Sequence, residues 1–397
     1  MLNKLLRGKW FYGILAAVML FILGGVWLLN ACNPISYSMY TSDAISFQKG
    51  RVQSVDTEKL SPAPGETNRF LGTQELTVRM TEGPWKGQDK KITNNLSNTH
   101  NIRVSPGQRV VVKVDHPENA EPYLTIYNYD RTMGILAIVL VFVAAMALVG
   151  RAKGVKSVVG LLFTLVFIFT FLLPMIYHGY SPILVCVATI LVTASFSMLL
   201  LNGLSRKTAV AIGSTMLGVL IAAAFYGIFS MILHVNGYNL EEAEELILIH
   251  QNTGLQIPQI LFVGILIASL GAVMDMTMSV ASSLYEIKQI HPARTPREIV
   301  RSGMEIGRDM IGTMCETLIL AFAGTGLTTM LVLVAYGAQF DQLLSSDYLG
   351  IELLHSVTGS MAVVASVPIT ALLSAWFFKE KAAKAQASKA SSVPTAV

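Results

Sequence analysis

Ile260–Leu284 reads ILFVGILIASLGAVMDMTMSVASSL, an apolar run broken by a single charge at Asp275. About 20 such residues in a helix cross the ~30 Å hydrocarbon core of a bilayer. An ionisable side chain inside that core costs roughly 2.5–3.5 kcal/mol on insertion scales. Asp275 must therefore be paired, wetted or used. Gly307–Tyr336 repeats the pattern, with Glu316 among apolar residues and Arg308 and Asp309 near its start. The two stretches predict an α-helical polytopic membrane protein with an intramembrane site.

Composition points the same way. Of 397 residues, 53% are hydrophobic and 14% charged, against about 25% charged in soluble domains, and the mean hydropathy is +0.55. The net charge of +4 is spread over one polar segment and the ends of apolar runs. No basic groove with interleaved aromatics forms, so nucleic acid is not an expected partner. Cys32, Cys186 and Cys315 lie far apart, which excludes a disulfide framework and a Cys/His metal spacing. No Walker loop, H-E-x-x-H or G-x-S-x-G occurs. Neither an enzyme nor a bound cofactor is expected.

Eight spans are predicted: Trp10–Asn30, Thr132–Gly150, Val158–Tyr177, Pro182–Leu201, Ala209–Leu233, Pro258–Leu284, Gly307–Tyr336 and His355–Phe378. Lys4, Arg7 and Lys9 precede the first. Residues 1–30 therefore read as an uncleaved signal-anchor, since the apolar run exceeds the usual 7–15-residue core of a cleaved signal. Basic residues in short loops set orientation. Arg151, Lys153 and Lys156, then Arg206 and Lys207, then Lys288, Arg294, Arg297 and Arg301 fall on one side. His178–Tyr180, Glu241–Glu245 and Gln339–Asp347 on the other side hold no Lys or Arg. Both termini are expected in the cytoplasm of a bacterial inner-membrane protein, with 379–397 a basic, disordered tail. Pro368 should kink the last span.

Residues 31–131 are polar, with short alternating runs at Ile45–Val55, Gln74–Met80, Lys90–Asn94, Gln108–Asp115 and Tyr123–Tyr127. Turn residues separate them, which predicts a small extracytoplasmic all-β domain, OB-like by strand number, between the first two helices. The remaining helical core is expected to span 132–378. Leu240–Gln251 predicts a short surface helix.

Within the sixth span, Gly264, Ala268, Gly271, Asp275, Ser279 and Ser282 recur at steps of four and three, on one helical face. Small residues let a neighbouring backbone approach, so this face is expected to pack against protein. Asp309, Thr313 and Glu316 share a face of the seventh span. Asp275 and Glu316 each lie nine residues from an assumed inner end, about 13 Å deep. If the two antiparallel spans pack, the carboxyls share a layer and suit a proton or cation. Glycines at 324 and 326 mark a weak point in the same span. His178, His234, His250 and His355 read as scattered interfacial residues. Thr295-Pro296-Arg297-Glu298 combines an N-cap, a first-turn proline and a capping-box glutamate. It predicts a short helix leading into the seventh span, with Arg297, Arg301 and Arg308 near the headgroups or at a gate.

Gly271-Ala272-Val273-Met274-Asp275, Ser279-Val280-Ala281-Ser282-Ser283, Ile306–Thr313 (IGRDMIGT), Thr317–Ala321 and Gly150-Arg151-Ala152-Lys153-Gly154 resemble the YibE/F-like family of bacterial membrane proteins. The resemblance covers most of the chain, implies the polytopic architecture, and supplies no substrate or catalytic residue. The expected function is a secondary transporter or channel-like permease. In it Asp275 is the principal site, Glu316 and Asp309 are partners, and Ser279, Ser282 and Thr313 are neutral ligands. The alternative is a non-transporting envelope protein whose β-domain binds a partner. Expected partners are the bilayer, a small solute or ion, and a second copy or an envelope protein.

Overall fold

A computed structural model describes residues 9–35, 45–65, 68–117 and 121–378. The expected tail 379–397 and the basic residues Lys4 and Arg7 lie outside the described residues. The chain divides into two compact units, 36–149 on one hand and 1–35 with 150–397 on the other.

The first unit contains five strands: β1 (Ile45–Pro62), β2 (Phe70–Met80), β3 (Asp89–Leu96), β4 (Arg109–Asp115) and β5 (Tyr123–Tyr129). They form one antiparallel sheet in the order β3-β2-β1-β4-β5. Alternation buries Val52, Leu76, Val78, Met80, Ile92, Val110, Val112, Val114 and Ile126 on one face, the period-2 pattern of a half-buried strand. All five expected strands are present. β1 runs past its expected end at Val55 because the polar stretch to Pro62 still pairs with β2, Pro62 opposite Phe70. No hydrophobic signal marks that extension. Gly72 sits at φ 133°, where an added Cβ would lie 2.0 Å from the Lys59 carbonyl oxygen, so the hairpin needs glycine there. Within this sheet Gln74 of β2 and Asn94 of β3, opposite each other in register, are joined in a buried network. Gln74 Nε2 donates to the Val104 carbonyl at 3.1 Å and Gln74 Oε1 accepts from the Val104 N–H at 3.1 Å.

Helices make up the rest: α1 (Lys9–Cys32), α2 (Thr132–Phe167), α3 (Leu173–Tyr177), α4 (Pro182–Asn202), α5 (Arg206–Leu233), α6 (Ala243–Thr253), α7 (Ile260–Ile290), α8 (Pro296–Thr325), α9 (Leu327–Ala335), α10 (Phe340–Leu344) and α11 (Asp347–Phe377). Among the described residues, six helical segments are long and apolar enough to cross a membrane, seven if the bent pair α8–α9 is one span.

Three expectations change here. Thr132–Gly150 and Val158–Tyr177 are not separated by a loop. They form one 46-residue helical run, Thr132–Tyr177, broken at Arg151 (φ 48°, ψ −134°) and passing through a π turn at Ile168–Leu172. The backbone leaves the helical region at Arg151, so the two expected runs stay two helices that meet at a kink, while Ala152, Lys153, Val155 and Lys156, all helix-compatible, belong to the second. The Thr295 capping box forms as expected, with Glu298 Oε2 accepting from the Thr295 N–H at 2.7 Å. It starts α8 itself, which runs unbroken into the seventh apolar stretch, so no separate short helix precedes it. The last helix begins at Asp347, eight residues before the expected start at His355.

Helix α11 is the centre of the bundle and packs against α5, α7 and α8. Small residues allow the approach. A Cβ at Gly307 would lie 2.1 Å from Val367 Cγ1, and one at Gly303 would lie 2.8 Å from Ala371 Cβ. Hydroxyls supplement the apolar contacts, with Thr215 Oγ1 and Thr277 Oγ1 2.9 Å apart and both side chains buried.

Candidate functional site

The side chains of α7 divide by size. Its buried face is Leu261, Phe262, Ile265, Leu266, Ser269, Val273, Met276, Thr277, Val280, Ala281 and Leu284. The opposite face carries Gly264, Ala268, Gly271 and Asp275, all exposed, with Ser279 and Ser282 half-buried. The six expected residues do share a face, but within this chain that face is only partly covered, with Gly271 bordering a cavity walled by Leu161, Thr164, Thr189 and Thr193. The physical reason is packing: the large side chains make more van der Waals contacts with neighbouring helices than glycine and alanine can. The small-residue contacts that close the bundle lie instead at Gly303, Gly307, Gly218 and Gly359.

On α8, Asp309, Thr313 and Glu316 also share a face, and all three are exposed. Thr313 Oγ1 donates to the Met310 carbonyl at 3.0 Å, which turns that hydroxyl onto its own helix. Asp275 on α7 and Glu316 on α8 stand on consecutive helices, both exposed. Arg297, Arg301 and Arg308 are exposed, and Arg301 Nε pairs with Glu305 Oε1 at 3.1 Å. Nearby, Arg294 donates to Ser302 Oγ at 3.1 Å and Lys288 to the Arg294 carbonyl at 2.6 Å, fixing the link from α7 to α8.

A second polar centre lies at the other end of α8. The helix breaks at Gly326, and α9 leaves at 55°, at the weak point expected from the glycines. Tyr348 Oη donates to the Gly326 carbonyl at 2.6 Å. A cavity of about 450 Å³ opens there, lined by Glu241, Glu242, Thr325, Gly326, Thr329, Asp347, Tyr348 and Glu352, among others. Four carboxylates and no Lys or Arg line it. The carbonyls at the joint are held by donors, Phe322 O by the Gly326 N–H and Gly326 O by the Met330 N–H as well as Tyr348. Glu352 Oε1 is buried without a hydrogen-bond partner. An environment of this sign attracts cations and repels anions.

Sequence reading placed Glu241 and Glu242 in an outer loop and missed Asp347, Tyr348 and Glu352. The available signal was Tyr348 and Glu352 at i, i+4, one helical face, just before the last apolar run. The four rim histidines do not meet. His178 Nδ1 lies 2.6 Å from the Pro174 carbonyl and His250 Nδ1 2.6 Å from the Leu255 carbonyl, while His355 stacks on Phe322 at 5.3 Å. Among the described residues, no three His, Cys, Asp or Glu side chains converge on a metal-sized site.

A small five-stranded domain joined to a helical core of span-length apolar helices defines the class of protein. The family model for YibE/F-like protein matches residues 138–380, and that for the YibE/F family N-terminal domain matches residues 45–129. The chain belongs to the YibE/F-like family. No curated protein and no solved structure matches it.

Proposed function

We propose that this chain is a secondary permease for protons or cations in a bacterial inner membrane. The observation that carries the reading is the break at Gly326, where a discontinuous helix ends on a cavity lined by four carboxylates. Broken helices whose ends face a polar cavity are a recurrent ion-site device in transporters. The cavity would gather cations at the outer side. Asp275 would be the deeper proton or cation site, with Ser279 and Ser282 as neutral ligands and Asp309, Thr313 and Glu316 on the adjoining helix. Arg297, Arg301 and Arg308 would lie at the cytoplasmic end.

Divided at Arg151, the 46-residue run supplies two crossings. At about 69 Å it is more than twice the hydrocarbon thickness. With the bent pair as one span, this gives eight crossings and keeps both termini inside. The β-domain, OB-like in strand order, would then lie outside the cytoplasm. The uncovered part of this α7 face calls for water or a second copy against it, because lipid would leave the Asp275 carboxyl unsolvated.

The test is ion flux in proteoliposomes. Asp275→Asn is expected to abolish flux, and Glu352→Gln to raise the half-saturating cation concentration roughly tenfold, about 1.4 kcal/mol. Unchanged flux in both variants would overturn the reading. Deletion of 45–129 separates the alternative: a permease core keeps its flux, whereas an envelope protein acting through its β-domain loses its phenotype.

A further inference from the structure

The five-stranded sheet leaves its two edges unpaired with each other among the described residues. Strands β3 and β5 are the two edges of the sheet, and the antiparallel pairings make them run parallel to each other. No backbone hydrogen bond joins them among the described residues. A cavity of about 260 Å³ occupies this seam, with Thr93, Asn94 and Asn95 of β3 on one side and Thr125 and Tyr127 of β5 on the other. His100 and Lys113 complete its wall.

Asn94 is 1% exposed. Its Nδ2 donates both to Gln74 Oε1 at 3.2 Å and to the Ile102 carbonyl at 2.7 Å. Two acceptors on that atom fix which end of the amide is nitrogen. Its Oδ1 is left buried with no donor, and a buried acceptor without a donor costs about 1–3 kcal/mol. That network lies on the inner face of β3, and Thr93 and Asn95 on either side of Asn94 turn their exposed side chains to the groove. Lys113 is held by Asp115 at 2.9 Å, so the wall carries little uncompensated charge and does not suit phosphate or a nucleic-acid backbone. Tyr127 is half-exposed, and its ring is braced edge-on against Phe47 at 4.8 Å. A fixed aromatic face beside hydroxyl, amide and ammonium groups matches a ring with apolar C–H faces and a polar rim.

We propose that the β3–β5 seam binds one unit of a neutral saccharide chain, stacked on Tyr127 and hydrogen-bonded by Thr93, Thr125, Asn95 and Lys113. The volume, below the ~300–1,000 Å³ of drug-sized sites, holds a single sugar ring. The test uses the full-length chain in a detergent without sugar headgroups, with chitotetraose and maltotetraose as probes in saturation-transfer NMR. At least one tetrasaccharide should bind with its ring C–H protons closest to the protein. Tyr127→Ala should weaken it roughly tenfold, and Thr125→Val, which keeps shape and fold, should weaken it measurably. Lys59→Ala, away from the seam, should leave it unchanged. Failure of both sugars to bind at millimolar concentration would overturn the proposal. So would binding indifferent to both seam variants, or binding of an extended peptide at the seam with no sugar binding.

Discussion

Glu352 carries a buried carboxylate oxygen that no donor reaches, one turn along α11 from the tyrosine tied to Gly326. A group left so costs stability, and sites that keep such groups trade stability for function. Glu352→Leu should therefore raise the thermal midpoint of the purified protein, by the equivalent of about 1–2 kcal/mol, while weakening cation uptake. A lowered midpoint would mean that the carboxylate has a structural partner. Exposed acids of the β-domain behave in the opposite way. Hydrogen bonds from Ser54 and Thr77 hold the Asp56 carboxyl below the usual range, hydrogen bonds from Arg79 do so for Asp89, and those from Thr132 for Asp130. A carboxyl depressed by folding stabilises the native state above its unfolded pKa of about 3.9 and loses that contribution as pH falls through the folded value. Circular dichroism melts of the β-domain signal should be flat from pH 7 to about 5 and drop below about 4. Asp56→Asn should shrink that drop, and an unchanged acid profile in the variant would remove Asp56 from the account. What the sequence could not disclose at this scale was which side of α7 turns inward. Both sides are apolar enough, and only the neighbours' shapes select the one bearing Phe262 and Met276.

Helix α8 illustrates how elements were and were not readable. Its start was legible because Thr295, Pro296 and Glu298 have a local chemistry that needs no tertiary information. Its continuity was not, since a charged amphipathic stretch and an apolar one join without any change in backbone preference. The five strands were legible because Gly83, Gly87 and Gly107 punctuate them, all with positive φ. Contact between α8 and α11 depends on Gly307, and valine there would meet the stiff Val367 side chain. Gly307→Val should destabilise the bundle by about 1–3 kcal/mol, read as a lowered midpoint in detergent, while Gly312→Val, with nothing within 4 Å, should be nearly neutral. Equal effects would show that packing at Gly307 is loose. Gly326→Ala is different in kind. Its Cβ would meet the Tyr348 hydroxyl, so the variant should break that hydrogen bond, and a cysteine-pair distance across the joint should change.

For the molecule as a whole, the architecture follows from alternation of material: one polar segment with period-2 patterning between long runs that are apolar on every side. That much was in the residue order, whereas the acid-lined cavity was not. It assembles Glu241, Asp347 and Glu352 from segments more than a hundred residues apart, and no local pattern encodes such a meeting. Cysteine placed at 268 on the uncovered part of the α7 face distinguishes its two environments. Rapid reaction with a charged water-soluble reagent would place water there, and spontaneous disulfide dimers in membranes would place a second copy there. Neither result would leave the carboxyl of Asp275 facing lipid and would remove it from the proposed path.

One property of α8 reaches beyond any single site. From the Thr295 box to the joint at Gly326 it is an uninterrupted rod of about 45 Å, with a charged tip at one end and a pivot at the other. Rods do not absorb displacement along their length. Gly303 and Gly307 clamp this rod to α11 along its first half, so the arginine-bearing tip and the acid-lined end are parts of one stiff lever whose only joint is at Gly326 among the described residues.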